Sequence, residues 1–165
     1  MKNLSLIAAI GKNNELGKDN KLIWYLKEDL KFFRENTMHK TIIMGRNTFE
    51  SLPGVLKGRK HIVLSRSSVT LPSEVMVYHS YEEVKQYIES SSEEMYIIGG
   101  SSIYSLFIDD VDKMLLTEIM SEDKDADAYF PKFNLDEWEK EVLSNHEDNG
   151  IQYSHVKYLR KGVRK

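Results

Sequence analysis

Residues 94–109 read EMYIIGGSSIYSLFID. A short apolar run, Met95 to Ile98, meets a glycine pair, and Ile103, Leu106 and Phe107 then recur at helical spacing. The run is too short for a helix and is stopped by Gly99 and Gly100, so it reads as a buried strand leading through a tight turn into a helix. That is the repeating unit of an α/β domain. Working outward, KTIIMG followed by RNTFESL repeats the unit at residues 40–52. LSLIAAI, HIVLS, EVMVYH and DKMLLTEI add further strands, and SYEEVKQYIESSS another helix. The alternation predicts a largely parallel sheet flanked by helices. WEKEVLSNHEDNGIQYSHVKYLR, residues 138–160, differs in kind: it reads as two strands joined across EDNG, whose Asn-Gly is a strong hairpin signal. GKNNELGKDN, residues 11–20, reads as a long polar loop.

Two strand-to-helix turns, IIMGRNTF and YIIGGSSIY, would each aim backbone N–H groups and a helix dipole at an anion. Paired sites of this type suit a dinucleotide, although neither is a G-x-G-x-x-G or a P-loop and an ordinary tight turn explains each glycine as well. Arg46 after Gly45, and Ser65-Arg66 after Leu64, place positive charge and hydroxyl donors where open α/β sheets hold ligands. Together they favour a phosphorylated cofactor.

The stretch NKLIWYLKEDLKFFREN, residues 20–36, poses a different problem. At about 100° per residue, Leu26, Asp29, Leu30 and Phe33 share one arc while Lys27, Glu28, Lys31, Arg34 and Glu35 lie opposite. One carboxylate therefore faces the protein. An ionised carboxylate taken out of water needs a basic residue, backbone donors or a hydrogen-bonding ligand. A helix-start Asp that caps nearby amides is the alternative.

Composition narrows the function classes. The 165 residues carry a formal net charge of -3, with 41% hydrophobic and 30% charged residues, which fits one globular domain, residues 1–165. No apolar run approaches the roughly 20 residues that span a bilayer, so no membrane association is expected. An acidic balance argues against nucleic acid as a partner. With no cysteine, disulfides, thiolate metal sites and cysteine nucleophiles are excluded, in keeping with a reducing, cytoplasmic setting. His39, His61, His79, His146 and His155 form no metal-ligand spacing, so no metal is expected. YLRKGVRK, residues 158–165, reads as a solvated tail.

The motifs SLIAAI, LGKDNKLIW, EDLKFFRENT, IIMGRNTFESL, GRKHIVLSR, IGGSSIY, LLTEI and DAYFP stand in an order and at a spacing that closely resemble dihydrofolate reductase of the bacterial chromosomal type. The resemblance implies a mainly parallel, eight-stranded α/β sheet with an antiparallel strand near its end. It also implies NADPH-dependent reduction of 7,8-dihydrofolate to tetrahydrofolate by hydride transfer to pterin C6 and protonation at N5, in service of one-carbon metabolism. Carried over by residue, Asp29 would bind the pterin N3 and 2-amino group, and Thr117 would hold Asp29. Trp24 would anchor a water at the pterin carbonyl, and the lid ending at Leu22 would close over the nicotinamide. Leu30, Phe33, Leu52 and Leu56 would pack the rings, Arg59 would pair with the glutamate carboxylate, and Ile7 and Ile98 would offer backbone carbonyls.

On the cofactor side the resemblance places Ala9, Leu16, Gly17, Asn20, Gly45, Thr48 and Leu64 around NADPH. Gly99 and Gly100, joined in the family by a cis peptide, would cradle the pyrophosphate with Ser101, Ser102, Ile103 and Tyr104. Arg46, Ser65 and Arg66 would read the 2'-phosphate. Solvent would supply the N5 proton while Asp29 polarises the ring. Antifolates of the diaminopyrimidine and pteridine type would be further ligands, and a monomer is the family's default. Ile23 stands where many relatives carry proline, and ADAYFP lacks the glycine and threonine of the family's GDTxFP turn. The riboflavin-pathway aminopyrimidine reductase on the same fold, and a non-catalytic nucleotide-binding module, are the alternatives; Asp29 and Phe33 with Arg59 speak against both.

Overall fold

Each apolar run becomes a strand because its side chains have partners on both faces of one sheet. The computed structural model describes residues 1–162. In chain order the elements are β1 (Leu4–Ile10), β2 (Glu15–Lys18), β3 (Lys21–Leu22), α1 (Lys27–Thr37), β4 (Thr41–Gly45), α2 (Arg46–Ser51), β5 (Lys60–Leu64) and β6 (Val75–Tyr78). They continue with α3 (Tyr81–Ser90), β7 (Met95–Gly99), α4 (Ser101–Phe107), β8 (Lys113–Ile119), β9 (Ala128–Tyr129), β10 (Trp138–Asp148) and β11 (Ile151–Arg160).

The main sheet has eight strands in the order β10-β11-β8-β1-β7-β4-β5-β6. Every neighbouring pair from β8 to β6 is parallel, whereas β11 runs antiparallel to both β8 and β10. This is the mainly parallel sheet with an antiparallel strand that the resemblance implies. Alternation along the strands builds two cores. Leu4, Leu6, Ile97, Met114 and Leu116 pack with Val84 and Ile88 of α3 and with Tyr104 and Phe107 of α4. Ile7, Ile42, Met44, Ile98 and Leu115 pack with Phe32 and Phe33 of α1 and Phe49 of α2. The chain moves outward through β4, β5 and β6, then returns to insert β7 between β1 and β4. Such a reversal leaves a crevice at the carboxyl ends of the strands.

Three expectations need correction. The polar segment 11–20 is not simply a loop: β2 pairs with β3 and with β9 in a separate three-stranded sheet. Gly17 makes that approach possible, since a Cβ there would stand 2.8 Å from the Lys21 carbonyl oxygen. Leu30, placed in the inward arc of its helix, is 47% exposed. The buried face of α1 is turned instead toward Phe32, Phe33 and Thr37, which leaves Leu30 at its rim. The basic tail is also not all solvated, because Tyr158 is buried and Arg160 donates to the Val111 and Ile108 carbonyls while lying over the Trp138 ring. Residues 163–165 of that segment lie outside the described residues.

Candidate active site

The crevice at the strand ends opens into a cleft of about 980 Å³. Gly45 ends β4, Leu64 ends β5, and Gly99 ends β7, so three adjacent parallel strands deliver their following residues to one place. Ala9, Leu16, Gly17, Asn20, Gly45, Arg46, Thr48, Leu64, Ser65, Arg66, Gly99, Gly100, Ser101, Ser102, Ile103 and Tyr104 all line it. Neither α2 nor α4 has a side-chain cap at its start, so their first N–H groups are left to other acceptors. The helices also pack closely: a Cβ on Gly45 would reach to 3.0 Å from Ile103 Cγ1. Gly99 and Gly100 are joined by a cis peptide bond. Backbone N–H groups at two glycine turns without side-chain caps, hydroxyls of Thr48, Ser65 and Ser101, and the cations Arg46 and Arg66 form a donor set that fits a phosphorylated dinucleotide. Arg46 is engaged with Glu50 at 2.7 Å, one helical turn away. That ion pair is solvent-exposed and therefore weakly held.

The segment expected to form the lid, β2 and β3, borders this cleft. Leu22, at the end of β3, is 44% exposed and lines the cleft wall. Asn20 donates to the Asn47 carbonyl at 2.8 Å, bridging the lid to the start of α2. The ADAYFP turn holds the lid despite its altered residues: Asp127 N–H donates to the Gly17 carbonyl and its carboxylate accepts from Asp19 N–H at 2.9 Å. At the base of the lid, buried Glu15 accepts from the N–H groups of Asn13 at 2.7 Å and Asp123 at 2.8 Å. Burial alone would push the Glu15 carboxyl up, but the backbone N–H groups of Asp123, Glu15 and Asn13 more than offset this and hold it below the usual carboxylate value.

Asp29 does not itself line this cleft. It sits in the first turn of α1, 16% exposed, and its Oδ1 accepts a hydrogen bond from Thr117 Oγ1 of β8. His155 of β11 brings Nε2 to 3.3 Å from the same oxygen. Ala9 is the register partner of Thr117 on β1 and also lines the cleft, so the two halves adjoin there. Tyr104 links them again by donating to the Ile7 carbonyl at 2.7 Å. Burial, followed by the charge of Asp29, drives the Tyr104 hydroxyl well above its usual range, which keeps it a donor. Ile7, Phe33, Leu52, Leu56 and Ile98 belong to one apolar cluster, with Leu30 outside it. Trp24 precedes α1 and packs half-buried with Leu26, Ile119 and Tyr153.

At the far end of this apolar wall, Arg59 donates to Thr37 Oγ1 and to the Lys57 carbonyl, both at 3.2 Å. Burial and the neighbouring Arg34 charge lower its pKa, so two guanidiniums concentrate positive potential there. His61, 1% exposed, shapes the same rim: its Nε2 accepts from Leu56 N–H at 2.9 Å, and Nδ1 lies 3.0 Å from the Arg59 carbonyl. With Nε2 accepting, the proton resides on Nδ1.

Sequence reasoning missed Asn47, His79, Phe32 and His155. Asn47 and His79 directly follow or flank segments already singled out, so a wider reading of those turns would have included them. His155 is placed beside Thr117 only by the β8–β11 register. Phe32 lies outside the apolar arc of the projection and finds its place by stacking on the His155 ring, with centroids 3.9 Å apart.

Comparison with known proteins agrees with this geometry. The sequence model of the family described as Dihydrofolate reductase matches residues 3–160. A dihydrofolate reductase of Haemophilus influenzae is 42% identical over 137 residues, covering 83% of this chain and 84% of that one. The corresponding Bacillus subtilis protein is 34% identical over 165 residues, covering 98% and 97%. A solved structure of dihydrofolate reductase from Enterococcus faecalis, complexed with NADP(H) and RAB-propyl, superposes with a TM-score of 0.88 at 32% identity over 96% of each chain.

Proposed function

The chain belongs to the dihydrofolate reductase family and catalyses NADPH-dependent reduction of dihydrofolate; we propose that residues 1–165 do so as one domain, with the side chains at the cleft and along the apolar wall beside it. One observation carries the assignment of residues: a single carboxylate, Asp29, is tied to Thr117 beside an apolar wall that ends in Arg59. A pterin offers two N–H donors to such a carboxylate, an aromatic body to such a wall, and a glutamate tail to such an arginine.

In this reading Asp29 accepts hydrogen bonds from the pterin N3 and 2-amino group, and Thr117 fixes the carboxylate. The carbonyls of Ile7 and Ile98 border the ring. Phe33, Leu52 and Leu56 pack it, Leu30 covers it from the rim, and Arg59 pairs with the glutamate. Trp24 holds a water at the pterin carbonyl. When bound, NADPH supplies the hydride. Gly99, Gly100 and the residues Ser101 to Tyr104 cradle its pyrophosphate, Arg46, Ser65 and Arg66 select its 2'-phosphate, and Leu22 closes the lid to exclude bulk water. Asp29 grips the ring edge away from N5, so it polarises the pterin while solvent delivers the proton to N5. Diaminopyrimidine and pteridine antifolates would occupy the same carboxylate. The reading includes a monomer working in the cytoplasm. Among the described residues no helix is long and apolar enough to cross a membrane.

The test is turnover by the purified protein, followed by loss of NADPH near-ultraviolet absorbance after addition of dihydrofolate. Folded protein that gives no rate above a no-enzyme control would overturn the reading.

A further inference from the structure

His155 is a buried ionisable side chain that the mechanism above leaves unused. It is 3% exposed on β11, and its Nε2 has no hydrogen-bond partner in line with it. The acceptor facing that nitrogen is Asp29 Oδ1, 3.3 Å away. A bare lone pair on Nε2 would oppose the carboxylate at that distance, so the proton belongs on Nε2, and a buried N–H without an acceptor is costly. The contacts of the other ring nitrogen are compatible with the same tautomer. Ser144 Oγ lies 3.3 Å from His155 Nδ1 and 2.8 Å from His146 Nε2. If His146 donates to Ser144 and Ser144 donates to Nδ1, each group has one role and the remaining proton is carried by Nε2, the nitrogen 3.3 Å from Asp29 Oδ1.

The surroundings hold the ring in this attitude. Phe32 stacks on it at an interplanar angle of 9°, and a bulge between Val142 and Ser144 of β10 sets Ser144 opposite His155. The hairpin also grips the helix that carries Asp29. Leu26, at the N-cap of α1, makes no side-chain cap, and Asp148 of β10 instead accepts from Lys27 N–H at 3.1 Å. Thr117 and His155 both approach Oδ1, so the second oxygen stays free for a ligand.

We propose that His155 is a positioning residue for dihydrofolate: its Nε2–H joins Thr117 in orienting the Asp29 carboxylate toward the pterin edge. The proposal rests on Asp29 being the pterin anchor. Its effect belongs to substrate capture and not to cofactor binding, because no residue of the hairpin lines the NADPH cleft.

Two measurements test it. Steady-state kinetics of His155→Phe, which keeps the stack on Phe32, should show KM for dihydrofolate raised about tenfold, the equivalent of one hydrogen bond to a charged group. KM for NADPH should change less than about twofold, and His155→Gln, which restores an N–H donor, should recover most of the loss. An unchanged dihydrofolate KM in His155→Phe, or an equal loss in the Phe and Gln variants, overturns the proposal. Histidine side-chain 15N spectra of the unliganded protein provide a readout that needs no turnover. They should show an Nε2–H signal for His155 that moves in Asp29→Asn. A signal from the Nδ1–H tautomer overturns the proposal even if the enzyme is active, whereas an Nε2–H signal in a protein without reductase activity would leave the contact standing and remove the substrate reading.

Discussion

Glutamine in place of Glu15 changes one atom of a side chain that is 1% exposed and accepts backbone hydrogen bonds from Asn13 and Asp123. The bonds reach Asn13 and Asp123, which joins the base of the lid to the segment before β9. A hydrogen bond to an ionised acceptor contributes about 1.5–3 kcal/mol, and a neutral one nearer 1 kcal/mol. In Glu15→Gln one backbone N–H would face an amide NH2 and the other a neutral oxygen, so the expected loss is about 2–4 kcal/mol. Urea denaturation at neutral pH measures the total, and amide exchange at Asn13 and Asp123 locates it. The pH dependence has a definite sign. The folded carboxyl titrates below its ordinary value of 4.5, burial being outweighed by the backbone N–H groups. Its contribution is therefore complete above 4.5 and disappears as pH falls through the lower folded value. The difference between parent and variant should shrink over that acidic window. Equal urea midpoints at neutral pH, with unchanged exchange at both amides, would refute the account of the lid anchor.

Asp29→Asn should lower kcat/KM for dihydrofolate by about a hundredfold or more, because the preorganised charge at the pterin edge is lost; NADPH affinity, measured by fluorescence, should stay nearly constant, and wild-type turnover would show the carboxylate misassigned. Replacing Arg46 and Arg66 together with glutamine should cut the preference for NADPH over NADH by about tenfold or more, since charge-assisted bonds to phosphate are lost; an unchanged ratio of kcat/KM values excludes their role. For His61, burial first and the Arg59 charge next hold the folded pKa below 6.5 in spite of the bond to the Arg59 carbonyl. Its contribution to stability is full above 6.5 and is lost as pH falls through the folded value, so urea midpoints of His61→Gln should decline less steeply than the parent's below 6.5.

The parts that were legible in the sequence were those whose cause is local. The run before Gly99, the turn after Gly45 and the Asn149-Gly150 hairpin, both of whose residues take positive φ, depend on neighbours in the chain. The residues at the two glycine turns are legible for the same reason, because they follow directly on strand ends. The lid strands were not, since β2 is stabilised by Ala128 and Tyr129, more than a hundred residues away, and has no apolar pattern of its own. Leu30 was misread because a projection gives the width of the apolar stripe but not which edge meets the sheet. Asp148 as the cap of α1, and His155 as a neighbour of Asp29, follow only from strand register. A histidine read for metal spacing alone gives no hint of a carboxylate lying on a distant helix.

The insertion of β7 has a consequence for synthesis. Met95 is the register partner of both Leu4 and Thr41. Until the ribosome has released that residue, β1 and the β4–β5–β6 block are two pieces with a strand-wide gap between them. Each presents an apolar, unpaired edge to solvent. Closing the gap demands contacts of long sequence separation, which form slowly. The nascent protein should therefore spend a measurable interval as a client of chaperones, and truncations ending before Met95 should partition to aggregates while chains reaching past β8 fold.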